Sequence, residues 1–216
     1  MQQIAVYGGG GFGREAAWLI EACNEAEPRF DLVGFIDDDP SLHGSVVNGL
    51  QVFSLEDAAK RFPDALLVAA TGSGRAREML VDRAVAHGFR FASLIHPRVE
   101  HSRLVEIGEG TVICAGSIVT VNVRLGRHVQ INPGCSISHD SQLDDYASLA
   151  PGVHIAGFVH LGRRAYVGAG AVIINGTAAE PLIVGEDAVI GAGACVTKPV
   201  AAGVTVVGVP AKPLRG

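Results

Sequence analysis

The sequence predicts two architectures in series: an α/β domain built on a parallel sheet, then a three-sided parallel β-helix. Three observations carry this reading. Strand-like apolar runs alternate with helix-like runs over the first 93 residues, and a six-residue aliphatic repeat fills most of the rest. Glycine supplies 28 of 216 residues while aromatics are only 6% and charged residues 18%. That small-residue, turn-rich composition suits short strands joined by tight turns better than a helical bundle.

In the first half, Ile4–Tyr7 is a short apolar strand and Gly8–Gly13 a glycine loop. Arg14–Glu25 carries apolar residues at helical spacing (Ala17, Leu19 and Ile20, with Trp18). Leu32–Ile36 reads as a second strand ending in Asp37-Asp38-Asp39-Pro40, and Ala65–Thr71 as a third. Gly74–His87 reads as a helix with Met79, Leu80 and Val85 on its apolar side, stopped by Gly88. Strands alternating with helices imply a parallel sheet. The expected division is residues 1–93 and 94–216.

In the second half, every sixth residue from Ile107 to Ile173 is aliphatic. The residue four places after each, from Thr111 to Thr177, is small or β-branched. After an interruption the pattern resumes at Val184, Ile190 and Val196. A period of six is wrong for a helix and too regular for a sandwich. It fits a triangular coil in which each hexad gives one short strand and one turn, and eighteen residues complete a circuit. Coils then stack at about 4.8 Å, aligning identical positions into inner ladders. No coil buries its inner face alone, so neighbours stabilise one another.

Net charge is −5 (17 Lys and Arg against 22 Asp and Glu). A nucleic-acid partner calls for a clustered basic face instead. Apolar stretches such as Ala65–Ala70 fall far short of the roughly 20 residues that span a bilayer. The start, Met1-Gln2-Gln3, lacks a basic leader and runs straight into a strand. Cys23, Cys114, Cys135 and Cys195 are scattered, without a CxxC pair. A reduced, cytoplasmic protein without disulfides is expected. Eight histidines are present, but no three-histidine constellation emerges, and no metal is expected.

The glycine loop satisfies G-x-G-x-x-G between a strand and a helix, with Asp37 lying 24 residues past Gly13. Fewer than 100 residues precede the hexads, so a half-sized nucleotide site fits better than a full dinucleotide domain. Backbone N–H groups around Gly10, Gly11 and Phe12 can take a diphosphate at a helix N-terminus. Asp37 and Asp38 can accept hydrogen bonds from a base or sugar. Glycines serving only helix–strand packing are the competing reading.

His139 falls two residues after Ile137, at a hexad corner, with its ring expected to point outward and Asp140 beside it. Neutral imidazole accepts a proton at neutral pH, and a carboxylate neighbour stabilises the imidazolium. A solvated surface pair is the bland alternative. Gly157, eighteen residues on, should stack on His139, leaving open space and an exposed N–H. The interval of 11 between Ile173 and Val184 makes Gly176–Ile183 an excursion in the same corner column, expected to wall the donor cleft.

The hexads resemble the [LIV]-G-x-x-[STAV]-x repeat of left-handed β-helix acyltransferases. The glycine loop, Ile36-Asp37-Asp38, Ser138-His139-Asp140 and the ending Val207-Gly208-Val209-Pro210-Ala211-Lys212 extend the likeness. The whole chain resembles the sialic acid O-acetyltransferase-like family, which includes bacterial nucleotide-sugar N-acetyltransferases. The resemblance implies a Rossmann-like nucleotide-sugar-binding domain, a left-handed helix, acetyl-CoA as cosubstrate and a side-by-side homotrimer. It also implies His139 as general base with Asp140 supporting it. The Gly157 N–H would face the thioester oxygen, and the backbone at Ala169 and Ala192, with Lys212, would contact coenzyme A. Asn132 would orient substrate, and Phe12 stands where relatives carry a smaller residue or histidine. Sugar O-acetylation, and a non-catalytic hexapeptide scaffold, remain as alternatives.

Overall fold

Strand β1 (Gln2–Tyr7) sits at the centre of the first sheet, pairing in parallel with β2 (Phe30–Ile36) on one side and β5 (Leu66–Ala69) on the other. In this computed structural model, which describes residues 1–214, the sheet runs β3 (Val46–Val47), β4 (Leu50–Phe53), β2, β1, β5 and β6 (Arg90–Phe91). Strands β3 and β4 form an antiparallel hairpin, and β6 closes the far edge. Chain connections from β1 leave toward β2 while β5 returns on the other side. That reversal puts a crevice at the carboxyl end of β1, where ligands of such sheets bind.

Helix α1 (Gly11–Ala26) starts three residues before the expected Arg14. Unsatisfied N–H groups are normal in a first turn, so glycine there costs little hydrogen bonding. The helix buries Gly13, Ala16, Ala17, Leu19 and Ile20, whereas Trp18 lies off that stripe and is 53% exposed. Helix α2 (Leu55–Arg61) is capped by Ser54, whose hydroxyl accepts from the Asp57 N–H. Helix α3 (Gly74–Ala86) corrects the expected apolar face. Its buried stripe is Gly74, Arg77, Val81 and Ala84, while Met79 and Val85 face solvent. Arg77 is buried because its guanidinium donates to the Thr71 carbonyl at 2.8 Å.

By backbone contacts the chain divides into two units, Met1–Pro97 and Arg98–Gly216. Arg215 and Gly216, the last residues of the second expected domain, lie outside the described residues. The second unit is a stack of two- and three-residue parallel rungs on three sides. One side climbs through Val112–Ile113, Gln130–Ile131, Ser148–Leu149, Tyr166–Val167 and Val189–Ile190. The next climbs through Glu100–His101, Ile118–Val119, Ser136–Ile137, His154–Ile155, Val172–Ile173 and Cys195–Val196. The third holds Glu106–Ile107, Arg124–Leu125, Gln142–Leu143, Val159–Leu161 and Leu182–Val184. Ile113 pairs with Ile131 and Ile131 with Leu149, so the register is the expected eighteen residues.

The inner ladder is aliphatic and buried from Ile113 to Ile173, with Ile107, in the first rung of its side, half-buried. The small partner positions are buried too, and their hydroxyls do a second job. Ser141 Oγ donates to the Ala156 carbonyl at 3.1 Å and accepts from the Val159 N–H. Thr111 does the same between Gly126 and Val129. Thr177 departs from the pattern and is exposed, because it belongs to the excursion.

Every sixth residue from Gly110 to Gly170 has a positive φ, so each corner turns through the left-handed region. Asn122, His128, Asp140, Tyr146, Phe158 and Arg164 hold that conformation without being glycine. Asparagine and aspartate tolerate it, while phenylalanine there is a genuine outlier.

Candidate active site

His139 sits where the second side turns into the third, and its side chain is 50% exposed. Its Nδ1 lies 2.9 Å from Asp140 Oδ2. With the carboxylate ionised, the hydrogen in that contact is the imidazole's own, so Nδ1–H donates, and in the neutral ring Nε2 then carries the lone pair. Asp140 is held below the usual carboxylate range by the hydrogen bond from His139, then by the one from Asn122. The Asn122 amide reaches Asp140 Oδ1 at 3.1 Å from the coil below. Phe158 meets the imidazole edge to face, with ring centroids 5.2 Å apart.

Gly157 stacks on His139 as expected, but the space above it is not open. The imidazole fills it: a β-carbon at 157 would stand 2.5 Å from Cε1 and 2.7 Å from Nε2. Gly157 is therefore buried. Its carbonyl accepts from Gly176, and among the described residues its N–H has no hydrogen-bond partner. A buried, unsatisfied donor is costly unless something is bound to it.

The excursion is narrower than Gly176–Ile183. Gly176 N–H donates to the Gly157 carbonyl and Leu182 N–H to the Phe158 carbonyl, both at 3.0 Å. The extra segment is thus 177–181, closed on itself by Thr177 and Glu180. Leu182 and Ile183 already belong to a rung. A groove of about 610 Å³ reaches Asp140 from the coil below, lined by Arg103, Glu106, Asn122, Arg124 and Asp140 among others.

The other expected residues do not join this corner. Asn132, Ala169 and Ala192 follow rungs of the first side, and so occupy the preceding corner. Ala169 and Ala192 are exposed there, and the Ala169 carbonyl accepts from Gly193. The Asn132 amide donates to the Leu149 carbonyl at 2.7 Å, tying one coil to the next. Lys212 is exposed and pairs antiparallel with Val207 in the final hairpin.

A second candidate site lies in the first unit, at the carboxyl end of β1. The two readings of the glycine loop divide between its residues. A β-carbon at Gly13 would stand 1.8 Å from the Gly8 carbonyl oxygen, and one at Gly8 2.5 Å from that of Ala70. Those two glycines serve packing. Gly10 and Gly11 have nothing within 4 Å of a β-carbon. Gly10 caps α1 with no side-chain hydrogen bond and no acidic residue in the first turn, and Phe12 is half-buried beside it. This leaves an uncapped helix N-terminus, a ready place for an anion.

Asp37 and Asp38 brace the same crevice. Asp37 accepts from the N–H of Gly9 at 2.7 Å and of Asp39 at 2.9 Å. Asp38 accepts from the Tyr7 hydroxyl at 2.6 Å and pairs with Arg83. Burial first, then that bond to Asp38, pushes the Tyr7 phenol well above its usual value. The expected ligand carboxylates therefore already have protein partners, although each oxygen keeps a second lone pair. A hollow of about 480 Å³ opens beside them, lined by His43, Ser54, Glu56, Arg83 and His87 among others.

Among the described residues, no group of three or more His, Cys, Asp or Glu could hold a metal ion. The outward histidines are engaged separately. His154 contacts Ser136, His160 contacts Asp144, and His128 is buried under Tyr146 with rings stacked at 5.2 Å. All four cysteines are free thiols, and no helix among the described residues is long and apolar enough to cross a membrane.

Sequence reasoning missed Asn122, Tyr7, Arg83 and Phe158. Counting eighteen back from Asp140 reaches Asn122, so the repeat itself held that signal.

Residues 3–84 match the PglD N-terminal domain family. The GDP-perosamine N-acetyltransferase of Escherichia coli O157:H7 is 34% identical over 218 residues, covering 100% of this chain and 97% of its own. A histidine-to-asparagine variant of perosamine N-acetyltransferase from Caulobacter crescentus, in complex with CoA and GDP-perosamine, superposes with a TM-score of 0.89. It is 30% identical, covering 100% of this chain and 98% of that one. WeeI from Acinetobacter baumannii AYE gives a TM-score of 0.90 at 35% identity, covering 99% and 100%. The acetyltransferase domain of PglB from Neisseria gonorrhoeae FA1090, in complex with acetyl coenzyme A, gives 0.85 at 31%, covering 99% of each. With a Rossmann-like first unit, a left-handed β-helix and full-length relatives of this kind, the chain belongs to the nucleotide-sugar N-acetyltransferases of the hexapeptide-repeat acyltransferase family.

Proposed function

We propose that this protein transfers an acetyl group from acetyl-CoA to the amino group of a nucleotide-linked amino sugar, for glycan biosynthesis. The observation that carries the reading is the His139–Asp140 pair at an exposed corner, with the imidazole ring lying against Gly157. Acetyl-CoA brings an activated acyl carbon. The protein must then take a proton from the attacking amine and offset charge on the acyl oxygen. His139 does the first through Nε2, while Asp140 holds Nδ1–H and balances the imidazolium. The Gly157 N–H is the donor available for the second.

Coenzyme A would lie between two subunits of the trimer, held by Gly157 of one and by the backbone at Ala169 and Ala192 and the Lys212 cation of the next, since those three do not share the His139 corner. The nucleotide would use the N–H groups at Gly10, Gly11 and Phe12, with Asp37 and Asp38 lining the base or sugar. Asn132 would act on substrate through its remaining oxygen. The working form is a cytoplasmic homotrimer. Free cysteines support the compartment, and exposed Ile118 and Val172 on one flat side support subunit packing. Sedimentation velocity checks the assembly.

A panel of UDP-, GDP- and dTDP-amino sugars, assayed with acetyl-CoA by thiol release, tests the activity. Turnover on at least one member, lost in His139→Ala, is expected. Silence across the panel with turnover on free sialic acids would replace N-acetylation by O-acetylation.

A further inference from the structure

The structure assigns Asn122 a part in the acyl-transfer centre: it is a positioning residue that fixes the Asp140 carboxylate and, through it, the protonated nitrogen of His139. The inference rests on the proposed role of His139 as base.

Three features of the corner lead here. Asn122 lies eighteen residues before Asp140, one coil below, with φ values of 55° and 57°. Both side chains therefore leave the same corner from matching backbone, one above the other. Asn122 Nδ2 donates to Oδ1 at 3.1 Å while Oδ2 faces His139 Nδ1 at 2.9 Å. The two carboxylate oxygens are thus divided between the Asn122 amide and the His139 imidazole. Asn122 and Asp140 also line one groove of about 610 Å³, with the charges of Arg103, Glu106 and Arg124 beside them.

This division gives the amide a task. A carboxylate attached to an exposed aspartate can rotate about χ2, and only one orientation puts an oxygen in line with Nδ1. A donor on the far oxygen selects that orientation. Nδ1 then keeps the hydrogen, and Nε2 keeps the lone pair that accepts the amine's proton. Without Asn122 the ring samples both neutral tautomers, and the Nε2–H form cannot act as base.

Asparagine also suits a left-handed corner for purely structural reasons, so the test must separate the two roles. Asn122→Gly keeps the backbone conformation and deletes the amide. Asn122→Asp keeps size and turn preference but replaces the donor with a repelling charge. In both, kcat should fall about tenfold, the rate equivalent of one hydrogen bond to a charged group, with KM for either substrate changed less than about twofold. Independently of any assay, nitrogen NMR of ring-labelled histidine in the substrate-free protein should show His139 as Nδ1–H in the parent and a tautomer mixture in both variants. Unchanged tautomer and unchanged kcat in either folded variant would overturn the role of Asn122. Full turnover in His139→Ala would instead remove the reading on which it rests.

Discussion

The imidazole of His139 occupies the volume that a side chain at residue 157 would need, with Cε1 only 2.5 Å from where a β-carbon would be. Gly157→Ala should therefore evict the ring rather than disturb the coil, since the three nearest atoms to that β-carbon are all imidazole atoms. Turnover should drop about a hundredfold, as misplacing a catalytic group by about 1 Å does. Steady-state kinetics beside a thermal melt checks this; full turnover in a folded variant refutes it.

His139→Ala removes a half-exposed side chain at a corner, outside the inner ladder. Activity should fall about 10²–10⁴-fold, the usual worth of a general base. Thermal stability should stay within a few degrees. A variant that folds and turns over normally would leave the corner with no chemical part.

Two glycines three residues apart should respond oppositely. Gly13→Ala drives a methyl into the Gly8 carbonyl and should cost about 1–3 kcal/mol or more in urea unfolding. Gly10→Ala meets nothing within 4 Å, so its unfolding curve should overlay the parent. Its effect should fall on nucleotide-sugar KM, through crowding of the uncapped helix start.

Leu149 is fully buried in the inner ladder between Ile131 and Val167. Leu149→Ala should cost about 2–5 kcal/mol. Hydrogen exchange should show lost protection in the coils on both sides, because each rung buries its neighbour. Loss confined to one coil would contradict cooperative stacking.

Asp145 supplies a pH-dependent part of stability. Burial alone would raise its carboxyl, but the backbone and side-chain bonds from Arg127 outweigh that and hold it below the usual range. A depressed folded value means the unfolded chain takes up its proton first. The stabilisation is therefore complete above the unfolded value of about 3.9 and is lost as pH falls through the lower folded value. Asp145→Asn should narrow the gap to the parent in that acid window, measured by urea unfolding from pH 7 to pH 2. A constant gap throughout would exclude the mechanism.

The β-helix was legible because its inner positions repeat with a fixed period and chemistry from Ile107 to Ile173. The corner beside His139 was legible only in part. Stacking at eighteen residues led upward from His139 to Gly157, yet the same count downward from Asp140 to Asn122 needed a side-chain contact to give it meaning. The left-handed corners were harder still, since Tyr146, Phe158 and Arg164 break the glycine and asparagine signature through which such turns are read. In the first unit, the β3–β4 hairpin went unread, although Asn48-Gly49, both at positive φ, is the usual residue pair for such a turn. What misled on α3 was Arg77, a charged residue that the stripe takes inward because a strand-end carbonyl awaits it.

The five extra residues between Gly176 and Leu182 hang from two backbone bonds to the coil beneath, and the rungs above resume as if nothing had been inserted. Length and chemistry of that loop are thereby uncoupled from the scaffold's register. Descendants of this chain can lengthen, shorten or recolour the rim next to His139 while the prism that carries it stays untouched, so changes in acyl-donor preference need not be bought with stability.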